Sequence, residues 1–158
     1  MALHTLPCEI CSRLATCVDG SHPGLVAELD TGWAILGDRQ WWPGYTLLLC
    51  KSPVTELHEL SPVVRLRHLE ELAQLAEAVC RVVRPHKLNY ELLGNSVPHV
   101  HWHLFPRRVD EPDPTSPVWT QLPTPEEDAA HRLDRVRHDG LRRALAVELA
   151  AIRGARRP

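Results

Sequence analysis

Histidine occupies alternate positions in His99-Val100-His101-Trp102-His103, directly ahead of Leu104-Phe105-Pro106-Arg107. A β-strand turns successive side chains to opposite faces, so this stretch sets three imidazoles on one face and Val100, Trp102 and Leu104 on the other. One face then carries chemistry and the other joins a core. Apolar and β-branched pairs stabilise a sheet better than imidazoles do, so three histidines in this register point to a function.

The length of 158 residues suits a single domain over 1–158, with a core at about 8–119 and an extension at 120–158 that carries a helix. A formal net charge of −2 excludes a broad basic face for nucleic acid or an anionic membrane, while a small anionic ligand read locally stays open. No segment approaches about 18 apolar residues, and Met1-Ala2-Leu3-His4-Thr5-Leu6-Pro7 lacks the basic and apolar character of a leader, so a cytoplasmic location is expected. The five cysteines, Cys8, Cys11, Cys17, Cys50 and Cys80, are odd in number and read as reduced thiols.

Residues 24–37 alternate apolar with polar or small positions around the turn signal Asp30-Thr31-Gly32, which predicts a hairpin. Tyr45-Thr46-Leu47-Leu48-Leu49-Cys50 is a nearly continuous apolar run, as in a strand buried on both faces. Ser61-Pro62 pairs an N-cap with proline at the first helical position. From there Leu66, Leu69, Leu72, Ala76, Val79 and Val83 keep one helical stripe until Pro85. Residues 87–93 and 97–106 are the next strands. The proline-rich stretch 106–125 reads as an extended loop, followed by a short helix around 129–136 and a longer one over 139–153. Strands and helices segregated in this way predict an α+β domain with a mainly antiparallel sheet of about five strands, one long helix and a C-terminal helix.

Alternating histidines serve either metal ligation through neutral imidazoles or nucleophilic and acid–base catalysis by imidazoles in fixed tautomers, and spacing alone leaves both open. Asp110, Glu111 and Asp113 lie nearby without recognisable ligand spacing. In nucleotidyl transfer one imidazole attacks phosphorus while others orient it and protonate the leaving group, and N–H or hydroxyl donors hold the phosphate oxygens. Gly94-Asn95-Ser96, one step upstream, supplies such donors, although the same residues also suit a plain turn.

The segment Gly94-Asn95-Ser96-Val97-Pro98-His99-Val100-His101-Trp102-His103-Leu104-Phe105-Pro106-Arg107 resembles the signature of the histidine triad superfamily. Asp38 ahead of Pro43-Gly44, the apolar strand after it and the long helix from Pro62 extend the resemblance in order over about residues 8–119. It looks most like the bacterial branch described as diadenosine tetraphosphate hydrolase-like. The resemblance implies a nucleotide hydrolase or transferase working through a nucleotidyl-histidine intermediate. By carry-over His101 is the nucleophile, His99 orients the site and His103 contacts the phosphate or leaving group. Gly94, Asn95 and Ser96 match phosphate-binding positions, and Asp38 falls where the ribose is held. A carboxylate suits two neighbouring hydroxyls, and a turn-capping role for Asp38 is the alternative. Arg107 at the strand end either neutralises a distal phosphate or is solvated. Trp41 and Trp42 offer rings for stacking on a purine or serve core or dimer contacts. The remaining histidines, His4, His22, His68, His86, His131 and His138, share no spacing and are expected at the surface.

Cys8-Glu9-Ile10-Cys11 has the spacing of half a zinc site. Several members of the resembled family complete structural zinc with a histidine after the second strand and the first triad histidine. The second-strand position is Pro53 here, with His58 and Cys17 as substitutes, and two free thiols are the alternative. No cofactor is required by the chemistry, and structural zinc stays open. Tyr45 stands where many relatives carry histidine after Pro-Gly. The implied partner is a small nucleotide substrate: a dinucleoside polyphosphate first, with phosphoramidase or phosphorylase chemistry as alternatives. A non-catalytic nucleotide-binding module and a metal-dependent enzyme using all three histidines are the competing classes. The resemblance also implies a homodimer, and the Arg153, Arg156 and Arg157 tail could approach an anionic substrate.

Overall fold

The structure, a computed structural model, describes residues 8–155. His4, Arg156 and Arg157 lie outside the described residues. The element order is α1 (Glu9–Val18), β1 (Leu25–Glu28), β2 (Gly32–Leu36), β3 (Thr46–Cys50), α2 (Pro62–Val83), β4 (Lys87–Glu91), β5 (His101–Arg107), α3 (Pro125–Ala130) and α4 (Arg135–Ala155). The five strands form one antiparallel sheet in the order β1-β2-β3-β5-β4, so the fold is α+β as expected. No helix among the described residues is long and apolar enough to cross a membrane.

Register separates the two sheet faces. Leu47 lies opposite His103 and Leu49 opposite His101, while Leu48 lies opposite Trp102 and Thr46 opposite Leu104. Residues directly opposite project from the same face. Trp102 and Leu104 therefore join Ala34, Leu36 and Leu48 beneath α2 and α4, which contribute Leu72, Leu75, Val79, Leu145 and Leu149. His101 and His103 share the other face with Ile35, Leu47 and Leu49, onto which α1 lays Ile10 and Cys17.

Four differences from the sequence reading have local causes. The strand predicted from residue 97 begins at His101, because Val100 is drawn sideways: its N–H donates to Val54 and its carbonyl accepts from Cys50 N. The short helix expected around 129–136 lies earlier. The capping box of Thr124 and Glu127 starts α3 at Pro125, and the chain then breaks so that Arg132 can bridge Arg39. Leu66, expected in the core stripe, is exposed, and α2 instead buries His68, Glu71 and Gln74. There Glu71 accepts from the N–H groups of Asp30 and Thr31 and pairs with Arg153, which pins the β1–β2 turn to both long helices. His68 and His22 are buried, against the surface expectation. His68 Nδ1 meets the Thr31 hydroxyl and His22 Nδ1 accepts from Gly24 N.

Candidate active site and a thiol–imidazole cluster

Each triad histidine has one ring nitrogen fixed by a neighbour. Nδ1 of His101 lies 2.6 Å from the carbonyl oxygen of His99. A carbonyl only accepts, so Nδ1 carries the proton and Nε2 keeps its lone pair. The ring is buried and edges against His103 with centroids 4.8 Å apart. The start of β5 thus presents an imidazole whose Nδ1 is committed to the backbone and whose Nε2 is left as the reactive nitrogen.

His103 is fixed from the other side. Tyr45 Oη lies 2.5 Å from its Nδ1. Burial raises the Tyr45 phenol above its ordinary value. Burial first, and the neighbouring His101 second, pull His103 down to about 4. Both groups are neutral near pH 7, and in the arrangement where the phenol donates to Nδ1 the His103 proton sits on Nε2. Gly37 makes this contact possible, since a Cβ there would overlap the Tyr45 ring. Tyr45, His103 and Phe105 stack nearly parallel.

His101, His103 and Tyr45 line a cavity of about 340 Å³. Its far end is built on Asp38, half-buried after β2, whose carboxylate pairs with Arg13 of α1. Burial works to raise the Asp38 carboxyl, but the Arg13 hydrogen bond and charge outweigh it and hold the group below its ordinary value. Arg39 and Arg132, both pairing with Asp128, complete that end. Trp41 lines the cavity with one edge against His131, while Trp42 is buried against Phe105 and donates to Glu111.

His99 is turned away from this cavity. Its Nε2 lies 2.8 Å from the Cys50 carbonyl, which places the proton there and leaves Nδ1 as a lone pair. That nitrogen is 3.4 Å from Cys8 Sγ and 3.6 Å from Cys11 Sγ, and the three donor atoms lie within 4.8 Å of one another. Burial first, then the neighbouring Cys8, raise the Cys11 thiol. An imidazole nitrogen that presents a lone pair to two sulfurs is the donor chemistry of a zinc site, so these residues fit the metal. Cys17 and His58 do not join them: Cys17 is buried under α1 and His58 is exposed. Pro53 precedes Val54, whose carbonyl binds Val100 N beside His99, and proline offers no fourth ligand.

The remaining expectations divide. His101, His103 and Asp38 border one cavity, and Val97 reaches its wall. Gly94, in the left-handed region at φ 88°, turns the chain ahead of it. Asn95 and Ser96 are exposed on this loop, outside the cavity lining. Arg107 corrects its expectation in both forms. It is buried, pairs with the buried Glu111 at 2.6 Å, and donates to Asn89 and to the carbonyls of Ser116 and Asp113, so it holds the 110–116 loop instead of facing solvent or a phosphate. Arg13, Arg39, Trp119 and Arg132 were absent from the sequence reading but line the cavity. Only the helical spacing of Ile10, Arg13 and Cys17 hinted that Arg13 flanks a buried face.

The model of the HIT domain matches residues 24–110, more than half of the chain. Among solved structures, a histidine triad protein from Bradyrhizobium japonicum is 22% identical with a TM-score of 0.69, covering 79% of this chain and 89% of that one. One from Marinobacter aquaeolei VT8 is 24% identical with a TM-score of 0.69, covering 81% and 89%. A zinc-bound histidine triad family protein from Mycobacterium smegmatis is 20% identical with a TM-score of 0.60, covering 90% and 95%. These likenesses establish the fold, and the domain match establishes the kinship: the chain belongs to the HIT domain family.

Proposed function

We propose that this protein is a nucleotidyl hydrolase or transferase that cleaves a nucleoside 5′-phosphate from its leaving group through a covalent bond to His101. The observation that carries the reading is the bond from His101 Nδ1 to the His99 carbonyl, which leaves Nε2 its lone pair, with the His103 ring 4.8 Å away centroid to centroid. His101 Nε2 attacks the α-phosphorus. As the bond to the leaving atom breaks, that atom takes a proton from His103. A bound phosphate adds negative charge next to His103 and raises its proton affinity, so the ring in the complex is the imidazolium that can give this proton up. Water then attacks phosphorus, its proton returns to His103, and the P–N bond to His101 breaks.

Asp38 is assigned to the ribose hydroxyls, with Gly94, Asn95 and Ser96 closing over the phosphate oxygens. The substrate classes for this chemistry are dinucleoside polyphosphates such as diadenosine tetraphosphate, and nucleoside phosphoramidates. Cys8, Cys11 and His99 would hold a structural zinc, and the metal would crosslink the start of α1 to the segment ahead of β5. The unpaired outer edge of β4 supports a homodimer, and the net charge of −2 argues against broad nucleic-acid binding; a cytoplasmic location is part of the same proposal. Incubation with diadenosine tetraphosphate and with adenosine phosphoramidate, beside a His101→Ala control, tests the activity: turnover of at least one by the wild type alone is expected, and turnover of neither contradicts it.

A further inference from the structure

The two ends of the cavity differ in charge. Asp38, which takes the nucleoside in the reading above, is surrounded by Arg13, Arg39 and Arg132. The end beyond His103 is aromatic. Trp119 stands edge-on to His103 with centroids 5.9 Å apart and edge-on to Phe105 at 5.7 Å. Its indole N–H donates to the carboxylate of Glu91, a residue directly opposite His103 in the sheet. Arg107, near this end, is closed off by Glu111 and loop carbonyls, and Lys87, opposite it on β4, is exposed outside the cavity lining. A polyphosphate leaving group needs cations or backbone donors along its length. Here it would meet an indole backed by a carboxylate.

We propose that Trp119 is a specificity-determining residue that selects leaving groups carrying a planar aromatic ring joined close to the α-phosphate, in preference to a polyphosphate chain. The inference rests on the nucleotidyl-transfer reading, which sets the leaving group on the His103 side. A ring lying along the indole gains stacking that an alkyl group of the same size does not, and Glu91 keeps the indole in place. Trp119 lies on a short 3-10 turn, Val118–Thr120, beyond the matched domain.

The test uses three compounds: the benzylamide of adenosine 5′-monophosphate, its cyclohexylmethylamide, which matches it in size, and diadenosine tetraphosphate. The wild type is expected to turn over the benzylamide with kcat/KM roughly threefold to tenfold above the cyclohexylmethylamide, and diadenosine tetraphosphate more slowly than either. Trp119→Leu should bring the ratio of the two amides to about one, and Trp119→Phe should restore most of it. Trp119 is partly exposed, at 44%, so both variants are expected to melt close to the wild type. An amide ratio unchanged in Trp119→Leu, or a preference for diadenosine tetraphosphate, overturns the proposal alone. Failure of the wild type on all three compounds overturns the hydrolase reading and this inference with it.

Discussion

The backbone carbonyl of His99 accepts the Nδ1 proton of His101 at 2.6 Å while the His99 ring faces Cys8 and Cys11. One residue therefore touches both centres, the proposed nucleophile His101 through its main chain and the thiols through its side chain. Anything that moves the His99 backbone turns the His101 ring, so the thiol cluster and the reactive nitrogen are mechanically coupled.

Replacing Tyr45 with phenylalanine removes the hydroxyl that holds His103 at Nδ1. Steady-state kinetics should show kcat down by roughly tenfold with KM little changed, the size expected for losing one hydrogen bond to a reacting group. An unchanged kcat would mean that His103 keeps its tautomer without the phenol.

The low proton affinity of His103 makes stability depend on pH. The unfolded ring titrates near 6.5 and the folded one at about 4. Between those values the unfolded chain binds a proton that the folded chain does not, so stability falls as pH drops from 6.5 and this contribution levels off below about 4. The gap corresponds to about 3 kcal/mol. Denaturant titrations at pH 7 and pH 5 should show a smaller pH loss for His103→Gln than for the wild type, and equal losses would contradict the assignment.

Arg107→Met leaves the buried Glu111 carboxylate without its partner. Unpaired buried charges of this kind cost about 3–5 kcal/mol, so thermal melts should shift steeply downward. Because Arg107 lies outside the cavity lining, KM for nucleotide substrates should stay near the wild-type value at temperatures where the variant is folded.

For the thiol cluster, elemental analysis should find about one zinc per chain, lost on exposure to a strong chelator and in Cys11→Ser. Removal should lower the melting temperature by roughly 5 °C. Affinity should fall as pH drops, because binding displaces protons from both thiols. A full-length chain purified without metal and indifferent to added zinc would leave the two cysteines as free thiols.

Much of this architecture follows from short-range pattern. The Ser61-Pro62 start and the stripe from Leu69 to Val79 define α2, and the histidine alternation defines the half of β5 that matters, because both signals repeat at the period of their element. What the pattern could not convey depends on tertiary pairing. His99 is two residues from His101 and in strict alternation with it, yet it leaves the strand because Val100 bonds Val54 and Cys50. Arg107 sits at a strand end like a ligand-facing cation, and only the return of the 110–116 loop supplies Glu111 and the carbonyls that enclose it. Trp119 and Arg132 come from segments whose composition signals loop and helix without showing that they fold back over the cavity. Arg13 reaches Asp38 across 25 positions in the chain, a separation at which local periodicity carries no information.

The central claim is that His101 Nε2 becomes bonded to phosphorus. The most direct measurement is intact-protein and peptide mass spectrometry of enzyme quenched under alkaline conditions during turnover of an adenosine phosphoramidate. The account predicts an adenosine monophosphate adduct on the peptide containing His101, absent in His101→Ala and short-lived in the wild type. Sustained turnover by His101→Ala, or an adduct on a different residue, would contradict it.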